Sequence, residues 1–335
     1  MRVVLRLCAA VYAATMMSVL LSNVPLMASV GPRERATANA PASAADTGWV
    51  RADTSIAWQN GESVVWRFTF DPKSGKPYFD PLGPAGGPSL TNFKPQDHPW
   101  HYGLWFSWKY INHVNYWEEN RSTGKAEGLT SWTPPVIATT PDGSARIAMD
   151  VSYTNPDGRV DVTEHREIRV SAPDANGGYA IDWRAHFVAG PAGAVLDRTP
   201  MPNEPGGQVN GGYAGLGARL PSAPLVMSVV TTDGPVTDFV NDRARPNAAA
   251  VGCNFSQDGA TVGGLAILSD PANMGERAPW YLIDNPTMRF ADPAVLAPAV
   301  KTLAPGQTWD LHYAVLLSRT AWTPERLRAA MAAWK

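Results

Sequence analysis

From Trp49 onward, apolar and polar residues alternate with a period of two, the spacing of strands that bury one face and wet the other. The alternation is plainest over residues 63–70, 145–153, 159–170, 178–189, 225–232, 261–268 and 308–317, each of which is expected to be a strand. Turn-forming clusters, DPKSGKP, NPDG, SAPDANGG, AGPAG and LAPGQ, lie between the strands. Parity assigns the faces. Tyr179, Ile181, Trp183, Ala185 and Phe187 pack, so Asp182, Arg184 and His186 face the other way; Trp309 to Leu317 repeats the pattern and leaves Asp310 and His312 opposite. Over 160–170 the apolar face also carries Glu164 and Arg166, while His165 lies on the polar side. An unpaired acid on an apolar face is costly, so Glu164 and Arg166 form either a buried structural ion pair or a cleft-facing functional one. One helix is expected at the end of the chain, with Thr323 as cap, Pro324 in the first turn and ERLRAAMAAW after it.

Composition agrees with many short strands and turns. Gly 29 and Pro 30 among 335 residues interrupt long helices, while 44% hydrophobic residues are enough for a core. A net charge of -2 with no dense basic run gives no footprint for nucleic acid. Residues 1–28 read as a cleavable signal peptide, with Arg2 and Arg6, an apolar stretch from Leu7 to about Leu21, and small residues near Ala28. A periplasmic or secreted location follows as an expectation. Residues 29–47 are Ala-, Pro-, Ser- and Thr-rich and read as a flexible linker; residues 48–335 are expected to be a single antiparallel β-sandwich domain. Beyond residue 28 no apolar run is long enough for a membrane span, and Cys253 alone cannot form an internal disulfide.

The candidate chemistry is concentrated in Asp97-His98-Pro99-Trp100-His101-Tyr102-Gly103-Leu104-Trp105-Phe106-Ser107-Trp108, followed by Tyr116-Trp117-Glu118-Glu119. His98 and His101 transfer protons near neutral pH, Glu118 or Asp97 orients an imidazole or acts as an acid, and Trp105 and Trp108 offer flat faces to sugar rings. No cofactor is implied. The alternative is a divalent metal on His98, His101 and Glu118, but the two histidines are three apart with Pro99 between them, which is not the spacing of zinc-protease ligands. The segment 211–219, GGYAGLGAR, is too loosely spaced for a dinucleotide fingerprint; its glycines suit close backbone approach, and Tyr213 and Arg219 become substrate-binding candidates. The Arg219 fork suits a uronic carboxylate or vicinal hydroxyls, or else a structural ion pair. No Gly-x-Ser-x-Gly elbow is present, and Cys253 has no assignable partner.

The run KPYFDPLGPAG, then DHPWHYGLWFSW with YWEE after it, then EHREI, GGYAGLGAR and LSDPANMGERAPWYL, resembles the DUF6807 family from about Trp49 to Ser318. That resemblance implies a bacterial, often exported β-sandwich protein associated with sugar degradation, without a settled reaction. It also places Asn273 and Trp280 beside the same opening. Members commonly read Asp-His-Pro-His-His-Arg-Gly; here Trp100 and Tyr102 stand at two of those positions, so Asp97, His98 and His101 carry over while roles for the middle His and the Arg do not. The family's other label, methane oxygenase PmoA, fits poorly, because a membrane oxygenase subunit needs apolar spans.

The expected fold is therefore an all-β antiparallel sandwich with a short C-terminal helix, in its specific version a galactose-mutarotase-like supersandwich, with a jelly roll as the alternative. The expected function is an exported carbohydrate-active enzyme that cleaves a glycosidic bond in a glycan or oligosaccharide by acid/base catalysis. Its catalytic groups would come from His98, His101, Glu118 and Glu164, and its substrate contacts from Asp97, Trp105, Trp108, Tyr213, Arg219, Asn273 and Trp280. Alternatives are a sugar lyase or epimerase, and a non-catalytic glycan-binding module.

Overall fold

The computed structural model describes residues 47–334; the expected signal peptide, and the linker up to residue 46, lie outside them. Two large antiparallel sheets face each other. One has ten strands in the order Gly234–Val236, Val226–Thr231, Ala250–Gln257, Ala260–Ser269, Thr308–Ser318, Tyr179–Ala189, Val160–Val170, Ala145–Thr154 and Leu129–Trp132, with Val136–Thr139 also paired to Ala145–Thr154. The other has nine: Gly48–Ala52, Ser55–Asn60, Ser63–Thr69, Tyr78–Leu82, Leu104–Ser107, Gly215–Leu220, Met288–Asp292, Tyr281–Asn285 and Arg243–Ala244. Phe79 meets Trp183, and Phe106 meets Phe187, across the gap between them. The antiparallel sandwich expected from the alternation is thus the observed fold.

The long strands of the ten-stranded sheet follow the predicted parity. Tyr179, Ile181, Trp183, Ala185 and Phe187 are buried in the inter-sheet core. On the opposite, wet face the polar residues pair across strands: His165 with Asp150 at 2.6 Å and His186 with Asp310 at 2.7 Å. Glu164 and Arg166 are fully buried as a two-pronged ion pair at 2.6 and 2.8 Å, and Tyr153 donates to the same carboxylate at 2.8 Å. The Arg166 guanidinium lies over the Trp183 ring, 4.9 Å from its centre. Burying these charges is tolerable because each has its partner. Glu164 is therefore a core residue, and its expected catalytic role is set aside.

The nine-stranded sheet is covered on both faces at its centre. All four residues of Leu104–Ser107 and all six of Gly215–Leu220 are buried. Leu104, Phe106, Leu216, Ala218, Leu220, Leu282 and Ala291 face the other sheet, whereas Trp105, Tyr281, Ile283 and Phe290 belong to a separate cluster on the outer face. The C-terminal helix Pro324–Ala333 starts at Thr323, whose hydroxyl accepts from the Arg326 N–H at 3.2 Å, and buries Leu327 beside Trp322. A second helix of four residues, Pro271–Met274, is capped by Asp270. No helix among the described residues is long and apolar enough to cross a membrane.

Candidate functional site

The outer face of the nine-stranded sheet is the floor of the site, and strand alternation selects which side chains reach it. Trp105, Arg219, Phe290, Tyr281 and Ile283 are the outward residues of four adjacent strands. Gly217 is outward between Gly215 and Arg219; a Cβ there would lie 3.1 Å from both the Phe290 and the Trp117 rings, so glycine lets these aromatics close over the strand. The loop carrying the histidines folds back on itself through His98 N–H to Pro95 O and His101 N–H to His98 O, both 3.0 Å, and Lys94 N–H to His101 O at 2.8 Å. It rejoins the sheet at Gly103, whose φ of +74° and close approach to the Phe79 carbonyl exclude a side chain.

These elements enclose a pocket of about 180 Å³ lined by His98, Trp100, His101, Trp117, Glu118 and Tyr213, with Arg243, Tyr281, Met288 and Phe290 among the groups completing its wall. His101 is 4% exposed, its ring 4.7 Å from His98, 5.1 Å from Trp105 and 5.3 Å from Phe290. Burial, with the His98 ring and the Arg219 guanidinium beside it, holds His101 well below the ordinary imidazole range. It is neutral at neutral pH. Its Nδ1 lies 3.4 Å from Arg219 Nη1, and a guanidinium only donates, so Nδ1 accepts and the proton sits on Nε2.

Arg219 is fully buried, and its Nη2 is shared between Asp97, at 3.0 and 2.8 Å, and the Thr287 carbonyl at 3.0 Å. Asp97 also meets His98 Nδ1 at 2.9 Å. Partial burial raises the Asp97 carboxyl, but the bonds from Arg219 and His98 outweigh it and hold the group below its usual value. Asp97 and Arg219 thus act as a clamp behind the histidines; the Arg219 fork, expected to hold substrate, is already occupied.

Glu118 is fixed by Asn115, whose Oδ1 accepts from the backbone N–H groups of Trp117 and Glu118 at 2.8 and 3.1 Å. One carboxylate oxygen accepts from Lys109 and from Asn115 Nδ2, the other from the Tyr213 hydroxyl at 2.5 Å. Burial pushes Glu118 upward, yet the Lys109 ammonium and the hydrogen bonds hold it below the ordinary carboxylate range. It is ionised at neutral pH, with both oxygens already accepting hydrogen bonds. Its neighbour Glu119 turns away to Lys76, at 2.7 Å, and Tyr102, at 2.6 Å. Among the described residues no three or more His, Cys, Asp or Glu are grouped to hold a metal ion.

Of the residues expected from sequence, the structure brings His98, His101, Glu118 and Tyr213 to the pocket wall, with Trp105 beneath His101 and Asp97 and Arg219 behind. It does not bring the others. Trp108 packs between the sheets against Phe187 and Trp309. Trp280 points into the same core and donates to Ala248 O at 2.9 Å, whereas the next residue, Tyr281, faces the pocket. Asn273 bonds both the N–H and the carbonyl of His312, at 2.8 and 2.7 Å, and so pins a strand. Met288, Phe290, Ile283 and Arg243 were not singled out. The alternation Met288-Arg289-Phe290 signals two of them, and nothing in it distinguishes a site from a core.

Residues 55–332 match the model of DUF6807, a family of unknown function. No curated protein matches the sequence significantly. Among solved structures, the chain is similar to an α-galactosidase from Lactobacillus brevis, with TM-score 0.46 and 12% identity over 86% of this chain and 41% of that one. It is similar to an α-galactosidase from Geobacillus stearothermophilus with TM-score 0.48 and 8% identity, over 82% and 41% of the two chains. A proposed aldose 1-epimerase from Klebsiella pneumoniae gives TM-score 0.42 and 10% identity, over 83% and 82%. The chain thus spans less than half the length of the two α-galactosidases.

Proposed function

The chain belongs to the DUF6807 family, and from the pocket it carries we propose that it is a carbohydrate-active enzyme acting by proton transfer on a sugar unit, as an epimerase or lyase. One observation carries this reading: His98, His101 and Glu118 converge, with the Tyr213 hydroxyl, on a single small pocket with aromatic walls. Glu118 is the base, held ionised; neutral His101 donates from Nε2 to a developing sugar oxyanion. His98, nearer solvent, packs against the His101 ring and is held by Asp97. Trp100, Trp117, Tyr213 and Tyr281 give the pocket an aromatic wall suited to the apolar side of a pyranose, with Trp100 the most exposed of them. Ordinary glycoside hydrolysis has less support, because it needs two carboxylates flanking one glycosidic oxygen. Glu118 is the one carboxylate in the pocket lining, since Glu164 is in the core. A non-catalytic module is disfavoured by the concave wall, and full burial removes Trp105 and Trp108 as sugar platforms.

The test is incubation of the purified chain with a panel of mono- and oligosaccharides, following mass and stereochemistry together. A change of configuration at constant mass, or fragments whose masses sum to the substrate, is the expected outcome. A gain of water on cleavage returns the assignment to hydrolysis, and no change with any sugar that binds reduces the protein to a module. Export through residues 1–28 belongs to the same proposal; sequencing Met1 at the N-terminus of the protein recovered from its host overturns that part.

A further inference from the structure

Of the charged side chains that line the pocket, Arg243 is the one without a counter-charge among the described residues. Glu118 is met by Lys109, and Asp97 by Arg219. Arg243 lines the same wall from the edge strand Arg243–Ala244, half-buried, and among the described residues no carboxylate lies within ion-pair distance of it. Two of its five N–H groups are used, Nε toward the Tyr281 hydroxyl at 3.2 Å and Nη1 toward the Asn241 carbonyl at 2.6 Å. Both partners are neutral. They fix the guanidinium plane, spend none of its charge and leave the remaining donors beside the opening. The next acids in sequence are engaged elsewhere: Asp242 accepts from Asn285 at 2.9 Å, and Asp284 from Arg289 at 3.0 Å.

From this imbalance we infer that the pocket takes an acidic sugar, a uronic acid or an oligosaccharide ending in one, with Arg243 as the residue that reads its carboxylate. The inference rests on the carbohydrate reading of the site and adds the substrate class. A guanidinium anchored by two neutral acceptors is preorganised for a carboxylate, and the partly desolvated wall strengthens the contact relative to water. On the sugar the carboxylate takes the place of a hydroxymethyl group, so a neutral hexose fits the same ring position but leaves the charge of Arg243 uncompensated. Arg219, the more obvious fork in the sequence, is unavailable because Asp97 and Thr287 already occupy it.

The test is calorimetric titration of the full chain with D-glucuronic acid against D-glucuronamide, and with D-galacturonic acid against D-galactose. At least one acid should bind about tenfold or more tightly than its neutral counterpart, with a preference that shrinks as salt is added. In R243Q the ratio should fall to near one; in R243K, which keeps charge but not the fork, part of it should survive. Thermal unfolding of both variants establishes that they are folded. Acids binding no tighter than the neutral sugars, or a ratio that survives in folded R243Q, overturns the assignment to Arg243 and leaves the carbohydrate reading standing. Failure of all four sugars to bind overturns both.

Discussion

His101 and Arg219 stand 118 positions apart in the chain, yet the guanidinium lies 3.4 Å from the imidazole Nδ1 in a corner that neither shares with water. Burial, with this cation beside the ring, disfavours its protonated form, and the contact fixes its tautomer. Stability should then depend on pH through His101. Its folded-state value is depressed below 6.5, so between the two values the unfolded chain binds more protons. Stability is fully present above about pH 6.5 and is progressively lost as pH falls below it. Chemical denaturation from pH 7.5 to 5 should show that loss, and His101→Phe should flatten it; an unchanged slope means that His101 is not the group responsible.

Removing the ring altogether should be costly. A cleft residue would tolerate truncation, but His101 packs on Trp105 and Phe290, so His101→Ala leaves a void in an aromatic cluster and should destabilise by about 2 kcal/mol. Activity should fall by about a hundredfold or more if it donates the proton. The Phe variant separates these effects, since it restores packing without the proton.

The Asp97 and Arg219 pair is asymmetric: the Arg219 side chain is 0% exposed and that of Asp97 39%. Asp97→Asn strands a buried charge and should destabilise by about 3 kcal/mol, whereas Arg219→Met leaves a carboxylate able to turn to water and should cost about 1 kcal/mol. Urea titrations of the two variants check the order, and the reverse order removes the clamp.

Glu164 provides the contrast. Glu164→Gln leaves Arg166 without a counter-charge between the sheets and should destabilise by about 3 to 5 kcal/mol, while ligand binding by the protein that stays folded is unchanged. Lost binding at full stability would return Glu164 to the site.

How far the sequence could be read depended on which faces are wet. At Tyr179–Ala189 the ten-stranded sheet exposes one face, so Asp182, Arg184 and His186 alternate with packed residues and the strand is evident. At the centre of the nine-stranded sheet both faces are dry, and Leu104–Ser107 and Gly215–Leu220 carry no alternation. Without a recognised strand, Trp105 and Trp108 looked like equivalent sugar platforms, though odd and even positions send them to opposite sides. The histidines, Glu118 and Tyr213 were legible because proton-transfer and ring groups crowd there in sequence. Arg243 was not, because an arginine acquires significance only when the acids that would neutralise it are shown to be elsewhere.

Glu118 bears most directly on the proposed chemistry. Glu118→Gln keeps the size of the side chain and an acceptor for Tyr213, but removes the base, so turnover should fall about a hundredfold or more. The carboxyl is held below 4.5, so as a base it is already competent at any pH above that value, and its own titration should not limit the rate between pH 5 and 8. Lys109→Met withdraws the ammonium that opposes burial. The Glu118 value should then rise, and the acid limb of kcat/KM should move to higher pH. A pH profile that shifts in Lys109→Met while the Gln variant is inactive identifies the carboxylate as the base. An active Gln variant with an unshifted profile assigns the proton transfer to the histidines alone.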